Sequence, residues 1–447
     1  MNAPICEFVS KYAVSKKMRL HMPGHKGNSF LGYEMMDITE LEGADALYIA
    51  SGIIKESEEN ATSIFESGAS YYSCEGSTLS VKAMCHLAKK YAVSKGQSSN
   101  YILATKNAHS SFVSASILLD FDIMWLCADQ SSYLSGKISA DEIEKVLSCV
   151  DNLPFAVYIT SPDYLGNICD IKSISRVCKR YGIPLLVDNA HGAYLKFLDS
   201  SMHPIDLGAT LVCDSAHKTL PTITGGGYLH ISRDAPAFFK ENAKESMALF
   251  GTTSPSYLIL CSLDNTNIYL TDGYKEKLSR FILRVDELRD KLTENGYTII
   301  GDERLKLTIK AKDYGYLGSE IYSILYKKGI VCEFYDKDFL VMMLTPENGE
   351  DALNTLLDAL LSIPKKDAIL DTPPCFLPCK QVLSPKMAHF SPSEIIDIDA
   401  ALGRVMAGLC VSCPPAVSVI SSGEEFNQST IALLKYYGIT KCKVVKK

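Results

Sequence analysis

Short apolar runs alternate with longer amphipathic segments from about residue 70 to residue 232. The apolar runs have the length of buried strands, and the segments between them carry apolar residues at helical spacing. This alternation is typical of a mostly parallel sheet with helices on both faces, and it predicts an α/β fold. Strands are predicted at residues 71–73, 101–104, 123–127, 155–160, 184–188, 209–213 and 228–231, and helices at residues 56–65, 79–90, 112–119, 143–149 and 171–181.

The pattern changes after residue 265. A charged amphipathic stretch predicts one long helix over residues 270–295, and the shorter strands and helices that follow indicate a smaller α+β unit. The Pro-containing stretch at residues 371–374 indicates a linker. The sequence therefore predicts four segments, which are an N-terminal helical arm, a large α/β domain, a small α+β domain and a C-terminal domain, at residues 1–20, 21–265, 266–370 and 371–447.

Composition narrows the class of protein. With 47% hydrophobic and 22% charged residues, the 447-residue chain has enough apolar surface for a packed core. A net charge of -7 makes nucleic acid an unsuitable partner. The sequence shows neither an apolar run of about 18 residues nor a secretory signal pattern. We therefore expect a cytoplasmic protein that does not bind a membrane.

The 15 cysteines are scattered and odd in number, which favours reduced thiols over a disulfide framework. Two close pairs, Cys375 with Cys379 and Cys410 with Cys413, leave a zinc site as an alternative. Their spacing is irregular and no pair of histidines joins them. Structural thiols are therefore the preferred interpretation, and no metal is expected.

Polar side chains gather where predicted strands end and helices begin. In chain order they are Ser77, Thr78, His109, Asp188, His191, Ser215, His217 and Lys218. Read singly, each has an ordinary explanation: a helix cap, a histidine satisfied by local backbone, a loop-capping carboxylate or an exposed turn lysine. Together they supply a phosphate cradle, a stacking ring, an acid for a pyridinium nitrogen and a Schiff-base amine. Those are the requirements of pyridoxal 5′-phosphate (PLP).

The motifs around these residues resemble those of the Orn/Lys/Arg decarboxylases, a family with the PLP fold type I of aspartate aminotransferase. The matching stretches are MPGHKG at 22–27, EGST at 75–78, NAH at 107–109, SPDYLG at 161–166, DNAHGA at 188–193 and SAHKTLP at 215–221. Residues 383–385 and 403–424 resemble the C-terminal segment of that family more loosely. The chain is similar to the short form, which lacks the N-terminal receiver-like domain of the large inducible enzymes.

The resemblance implies that PLP is the cofactor and that Lys218 forms an aldimine with it. Asp188 is then expected to pair with the pyridine nitrogen. His109 would stack on one face of the ring and Ala190 would pack against the other, while His191 would lie near the cofactor oxygen or the substrate carboxylate. Hydroxyl and imidazole groups are expected to hold the phosphate, namely those of Ser77, Thr78, Ser215 and His217.

The resemblance also implies a homodimer with active sites at the interface, where the loop carrying His25 and Lys26 would serve the partner's site. The implied reaction is decarboxylation of arginine, lysine or ornithine to the corresponding amine, as in polyamine biosynthesis. Another fold type I reaction, by an aminotransferase or a lyase, is the alternative, and Arg404 is the candidate carboxylate clamp for an aminotransferase. A third hypothesis is a catalytically altered PLP-binding homologue. Glu75, Ser110 and Asn189 depart from the family pattern and leave the substrate open.

Overall fold

The computed structural model describes residues 1–126, 132–413 and 417–447. Cys127, the last residue of one predicted strand, and the side chain of Cys413 lie outside the described part. The chain divides into two compact units, one of residues 1–98 with 184–276 and the other of residues 99–183 with 277–447. Each unit is described by itself. The four-segment division of the sequence stays a prediction.

The chain up to Thr271 contains alternating helices and strands. In chain order they are α1 (Pro4–Ala13), α2 (Ile53–Ile64), β1 (Ala69–Ser73), α3 (Gly76–Ser94), β2 (Tyr101–Thr105), α4 (Ser110–Leu119), β3 (Asp122–Leu126), α5 (Ala140–Cys149), β4 (Ala156–Thr160), α6 (Ile171–Tyr181), β5 (Leu185–Asp188), β6 (Leu211–Asp214), α7 (Ala216–Thr219), β7 (Gly227–Ile231), α8 (Ala237–Ala248) and α9 (Tyr257–Thr271).

The rest of the chain has shorter strands. Its elements are α10 (Tyr274–Glu294), β8 (Ile299–Ile300), β9 (Lys306–Lys310), α11 (Gly318–Lys327), β10 (Phe334–Tyr335), β11 (Phe339–Met343), α12 (Gly349–Leu361), β12 (Lys380–Gln381), α13 (Pro385–Phe390), β13 (Ser393–Asp397), β14 (Cys410–Cys413), β15 (Val417–Ser421), β16 (Glu424–Glu425), α14 (Gln428–Tyr436) and β17 (Lys441–Val445). Single-turn 3₁₀ helices lie at Leu47–Ile49, Ala193–Phe197, Ala311–Tyr314, Pro346–Asn348 and Ile398–Ala400.

In the first unit, β5 and β6 run parallel, with Asp188 opposite Cys213. Strand β7 pairs antiparallel with β6 and with β1. Helix α3 packs on β5, β6 and β7, so its apolar face covers the sheet. The N-terminal helix α1 packs against α2 and α9. Its first N–H groups are satisfied by the buried Asp264 of α9, whose Oδ2 accepts from Ile5 N and Cys6 N at 2.9 Å each.

In the second unit, β2 pairs parallel with both β3 and β4. A four-stranded antiparallel sheet follows, in the order β10-β11-β9-β8, and three two-stranded ribbons complete the C-terminal part. The parallel pairs in both units, interleaved with helices, confirm the predicted α/β class with a mostly parallel sheet. The antiparallel sheet of the second unit is the smaller α+β element of that prediction.

Local capping signals fix several helix ends. Asp170 accepts from Ser173 N at 3.0 Å and starts α6, which ends at Gly182 with φ +69°. Ser139 and Glu142 form the predicted capping box of α5. The expected long helix over residues 270–295 is confirmed as α10, which begins later than expected, at Tyr274, because Asp272 and Gly273 separate it from α9. Among residues 1–126, 132–413 and 417–447, no helix has both the length and the apolar character needed to cross a membrane.

Candidate active site

Lys218 lies at the corner between β6 and β7, on the short helix α7. Its side chain is half-buried, and its Nζ lies 3.0 Å from Nε2 of His191. One of these nitrogens donates and the other accepts, so a hydrogen bond joins the two side chains. The structure thus brings together two of the residues that the sequence singled out from different segments.

A tight turn after β5 carries His191 to this position. Asp188 is buried, and its Oδ1 accepts from Ala190 N at 3.2 Å. Gly192 N donates to the carbonyl of Asn189 at 2.8 Å. A Cβ at Gly192 would fall 2.0 Å from Oδ1 of Asn189, so the turn requires glycine there. Asp188, Ala190 and His191 are therefore placed by one rigid turn at the carboxyl end of a parallel strand.

Two hydroxyl groups meet at the start of α3. Ser215 Oγ donates to Ser77 Oγ at 2.8 Å. Thr78 is exposed on the same first turn. Gly227 lets the chains approach, because a Cβ there would lie 2.8 Å from the carbonyl oxygen of Asp214 and 3.0 Å from the carbonyl carbon of Gly76. Hydroxyls beside the N-terminus of a 19-residue helix form a donor set suited to a phosphate.

His217 lies beside this helix start. Its Nδ1 donates to the carbonyl of Gly226 at 2.9 Å, and its backbone N–H bonds the same oxygen at 3.2 Å. A Cβ at Gly76 would lie 3.5 Å from Cε1 of the His217 ring. Burial, together with the nearby charge of Lys218, lowers the pKa of His217. The ring is therefore neutral near pH 7 in the cofactor-free chain, with its proton on Nδ1.

Glu75, which departs from the family pattern, has its own partner. Its Oε1 accepts from Thr252 N at 2.7 Å, and the side chain is exposed. Burial, and then the charge of Glu75, raise the pKa of Tyr48. The hydrogen bond to Thr252 gives the Glu75 carboxylate a role in holding the loop after α8, which accounts for an acidic residue next to a candidate phosphate site.

The second departure, Asn189, belongs to a buried network that the sequence did not predict. Its Nδ2 donates to Oδ1 of Asp214 at 2.7 Å. Oδ2 of Asp214 lies 2.9 Å from Nε2 of His203 and 3.2 Å from Nε2 of His230. Burial alone would raise the pKa of Asp214, but the two imidazoles hold it well below its usual range. In the sequence, the one indication of this network is a polar residue, Asp214, at the end of the apolar run of β6.

The side chains of His203, Asp214 and His230 are also of the types that bind metals, and they lie close enough together to do so. However, Nδ1 of His203 accepts from Ile205 N at 3.3 Å, which places the ring proton on Nε2. That nitrogen therefore donates to Asp214 and has no lone pair for a metal. We interpret the cluster as a hydrogen-bonded network that fixes the strand ends before Lys218.

His109 lies in the second unit, where it caps the N-terminus of α4. Its Nδ1 accepts from Ser111 N at 3.2 Å, and its backbone forms a bridge with Val417. The local backbone interpretation is therefore supported by the structure, and Nε2 carries the ring proton. Stacking of His109 on a cofactor ring stays a prediction.

The loop carrying His25 and Lys26 is held within the first unit. His25 Nε2 lies 3.2 Å from Oδ2 of Asp37, and Lys26 Nζ donates to the carbonyl of His21 at 2.5 Å. Its expected role in a partner's site stays a prediction.

The first unit thus supplies a primary amine, a buried strand-end carboxylate and a hydroxyl pair at a helix start. This donor set fits PLP, and the α/β fold is that of a PLP enzyme of fold type I. Residues 3–303 match the Orn/Lys/Arg decarboxylase family, in its major domain. The chain belongs to this family. It is accordingly a carboxy-lyase that depends on PLP.

Named relatives extend over nearly the whole chain. The uncharacterized protein YaaO of Bacillus subtilis (strain 168) is 29% identical over 467 residues, which cover 97% of this chain and 94% of that protein. The arginine decarboxylase of the same organism is 24% identical, with 96% and 92% covered. Among solved structures, the Francisella novicida lysine decarboxylase LdcF has a TM-score of 0.80 at 17% identity and covers 99% of this chain and 81% of its own. The constitutive lysine decarboxylase of E. coli has a TM-score of 0.78 at 18% identity and covers 100% and 82%.

Proposed function

We propose that this chain removes the α-carboxylate of a basic amino acid, with arginine the first substrate to test and lysine and ornithine next, and that Lys218 carries PLP. The 3.0 Å contact between Lys218 Nζ and His191 Nε2 is the observation that carries the proposal. It pairs the candidate amine with a proton acceptor at the carboxyl end of the sheet, where α/β folds bind ligands. Four relatives at 23–24% identity are arginine decarboxylases, which supports arginine.

Bound PLP supplies an electron sink for the charge left at Cα when CO₂ departs. The residues of this chain do the rest. Asp188 opposes a proton on the ring nitrogen with its negative charge. The hydroxyls of Ser77 and Ser215 and the first turn of α3 bind the phosphate. His191 exchanges a proton with Lys218 Nζ, and this pair returns a proton to Cα of the product.

The rival function on this scaffold is an aminotransferase, which would need an arginine to clamp the substrate carboxylate. Arg404 is engaged elsewhere in its own unit. Its Nη2 donates to Oε1 of Glu394 at 2.6 Å and to the carbonyl of Val445 at 2.9 Å. The pairing of Arg404 with its own C-terminal segment supports decarboxylation over transamination.

The homodimer belongs to the same proposal. Large apolar side chains are exposed along one N-terminal segment of the first unit: Met18, Leu20, Phe30, Leu31 and Tyr33. Such concentrations of exposed apolar surface are typical of protein–protein interfaces. Sedimentation velocity is expected to give twice the chain mass, and a monomer at micromolar concentration would contradict the dimer. A cytoplasmic location and a role in polyamine biosynthesis complete the proposal, and the free thiols of the described cysteines support the former.

The test begins with the absorption of the purified protein after incubation with PLP. Wild type is expected to show the visible band of lysine-bound PLP, and Lys218→Ala is expected to lose it. Lys240→Ala, which removes an exposed lysine of α8, should keep the band. Absence of the band from wild type, or its persistence in Lys218→Ala, contradicts the assignment of Lys218.

Incubation with arginine, lysine and ornithine then separates the substrates. Release of CO₂ together with the matching amine identifies a decarboxylase and its substrate. Appearance of a keto acid without CO₂ identifies the aminotransferase instead. No product from any of the three amino acids, with PLP bound, would favour a catalytically altered homologue.

A further inference from the structure

A cysteine contacts the carboxylate that is proposed to face the cofactor ring. Cys213 lies on β6 directly opposite Asp188 of β5, and it is fully buried. Its Sγ lies 3.4 Å from Oδ1 of Asp188. Since a carboxylate oxygen can only accept a hydrogen bond, the S–H group of Cys213 donates a hydrogen bond to Asp188.

The thiol of Cys213 stays protonated. Burial raises the pKa of Cys213 well above its ordinary value, and the charges of Asp188 and Asp214 raise it further. An S–H group therefore persists at neutral pH and remains a donor.

Two donors from different segments converge on a single oxygen of Asp188. One is the thiol of Cys213, from the neighbouring strand, and the other is the backbone N–H of Ala190, at 3.2 Å from Oδ1. Two donors from separate segments restrict rotation of the carboxylate about its side-chain bonds. The oxygen is thereby tied to the strand pair β5–β6 as well as to its own loop.

The kind of donor also matters. A thiol is a weak donor compared with a hydroxyl or an imidazole. It fixes the direction of the carboxylate while drawing little charge from it. Cys85, another fully buried thiol, lies close enough for its pKa to be raised by the charge of Asp188. The surroundings that α3 and β6 provide for Asp188 therefore include two thiols.

We propose that Cys213 is a positioning residue, whose S–H group orients the Asp188 carboxylate toward the ring nitrogen of PLP while leaving its charge available. The proposal rests on the proposed function, because it acts through the pairing of Asp188 with that nitrogen. Cys213 itself touches neither the ring nor the substrate in this role.

Infrared spectroscopy of the cofactor-free protein tests the hydrogen bond directly. The S–H stretching band that disappears in Cys213→Ser is expected at lower frequency than the band that disappears in Cys178→Ala, a variant of a buried cysteine in α6. Asp188→Asn should shift the Cys213 band upward, because a neutral amide accepts less strongly than a carboxylate. Coincidence of the Cys213 and Cys178 bands overturns the proposal.

Cofactor binding tests the positioning role. Cys213→Ala is expected to weaken PLP binding by roughly five- to tenfold, the scale of one ordinary net hydrogen bond. It should also lower the pH at which the visible band changes, as the ring nitrogen loses its proton more easily. Cys213→Ser keeps a donor that orients the carboxylate but, as a stronger donor, draws more charge from it, so this variant should restore PLP affinity only in part, and Cys178→Ala should match wild type.

Circular dichroism and thermal melting of each variant distinguish a loss of folding from a change in the orientation of the Asp188 carboxylate. Folded Cys213→Ala with wild-type PLP affinity and an unchanged pH titration overturns the positioning role. A wild-type chain with the shifted S–H band but no PLP uptake overturns the proposed function, and with it the role of Cys213 toward PLP, while the hydrogen bond to Asp188 stands.

Discussion

Two neighbouring strands, β5 and β6, each end in a buried aspartate, and the two carboxylates have different surroundings. Asp214 accepts hydrogen bonds from an amide and two imidazoles, contributed by Asn189, His203 and His230. Asp188 is approached by a backbone N–H and a thiol, from Ala190 and Cys213. Strong side-chain donors from three segments bind Asp214, whereas the two bonds to Asp188 described above come from its own turn and from a thiol.

The comparison shows that two buried carboxylates at the same sheet edge can serve two different purposes. Strong donors stabilise a buried charge and join distant segments, which is a structural task. A carboxylate that pairs with a developing or exchangeable positive charge must be held in a fixed orientation while it keeps its own negative charge. The kinds of donor around a buried acid, rather than its burial, therefore distinguish the candidate catalytic aspartate from the structural one.

Asp188→Asn should give the largest effect and should act on activity. The amide preserves shape but removes the charge opposite the ring nitrogen, and we expect decarboxylation to fall by about 10²- to 10³-fold, as when one preorganised electrostatic group is lost. Steady-state CO₂ release with the substrate identified above measures this. Retention of more than about a third of the activity would contradict the role given to Asp188.

Asp214→Asn should instead act on stability. Removing the charge leaves His203 and His230 with a weaker, neutral partner in a dry site, and the free energy of unfolding should drop by about 3 kcal/mol. Denaturant unfolding of the cofactor-free protein measures it. Asp206→Asn is the matched control, because Asp206 pairs with Lys196 in the same unit but is partly exposed, so about 1 kcal/mol or less is expected.

Acid should weaken the Asp214 network through His230. Burial lowers the pKa of His230, despite its hydrogen bond to Asp214. Below about pH 6.5 the unfolded chain takes up a proton on this histidine while the folded chain resists it. The stabilisation is therefore complete above pH 6.5 and is lost as pH falls toward the lowered folded-state pKa.

The expected slope is up to about 1.4 kcal/mol per pH unit in that range. Besides Asp214, the charged or titratable neighbours of His230 include His203, Lys196 and Tyr228, and all three remain in the variants. His230→Gln should unfold with a smaller loss of stability between pH 6.5 and 5 than wild type. Ser70→Ala, which removes the 2.7 Å partner of His230 Nδ1 but keeps the titrating ring, should retain the wild-type slope. Equal slopes for wild type and His230→Gln would contradict this account.

Local chemistry made part of this structure predictable. The cap at Asp170 and the stop at Gly182 gave α6 its bounds, and the apolar runs on either side of Lys218 predicted the strand–corner–strand unit that the structure contains. Helix α9 was not predicted, because buried residues lie on several of its faces and its periodicity is weak.

The Asp214 network and the thiol on Asp188 were not predictable for a different reason. His203 and His230 lie 11 and 16 residues from Asp214. His230 approaches it through the pairing of β6 with β7, and His203 approaches it from the loop before β6. Likewise, Cys213 looks like one more apolar residue of β6 until the register places it opposite Asp188. Contacts set by sheet register carry no local signal in the chain.

The bond from His217 Nδ1 to the carbonyl of Gly226 has a consequence for cofactor loading. With that nitrogen committed as a donor, Nε2 can donate to a phosphate only if the ring gains a second proton. Capture of PLP by this imidazole is then coupled to proton uptake. A shift toward alkaline pH is then expected to weaken the binding of PLP without any change in the fold.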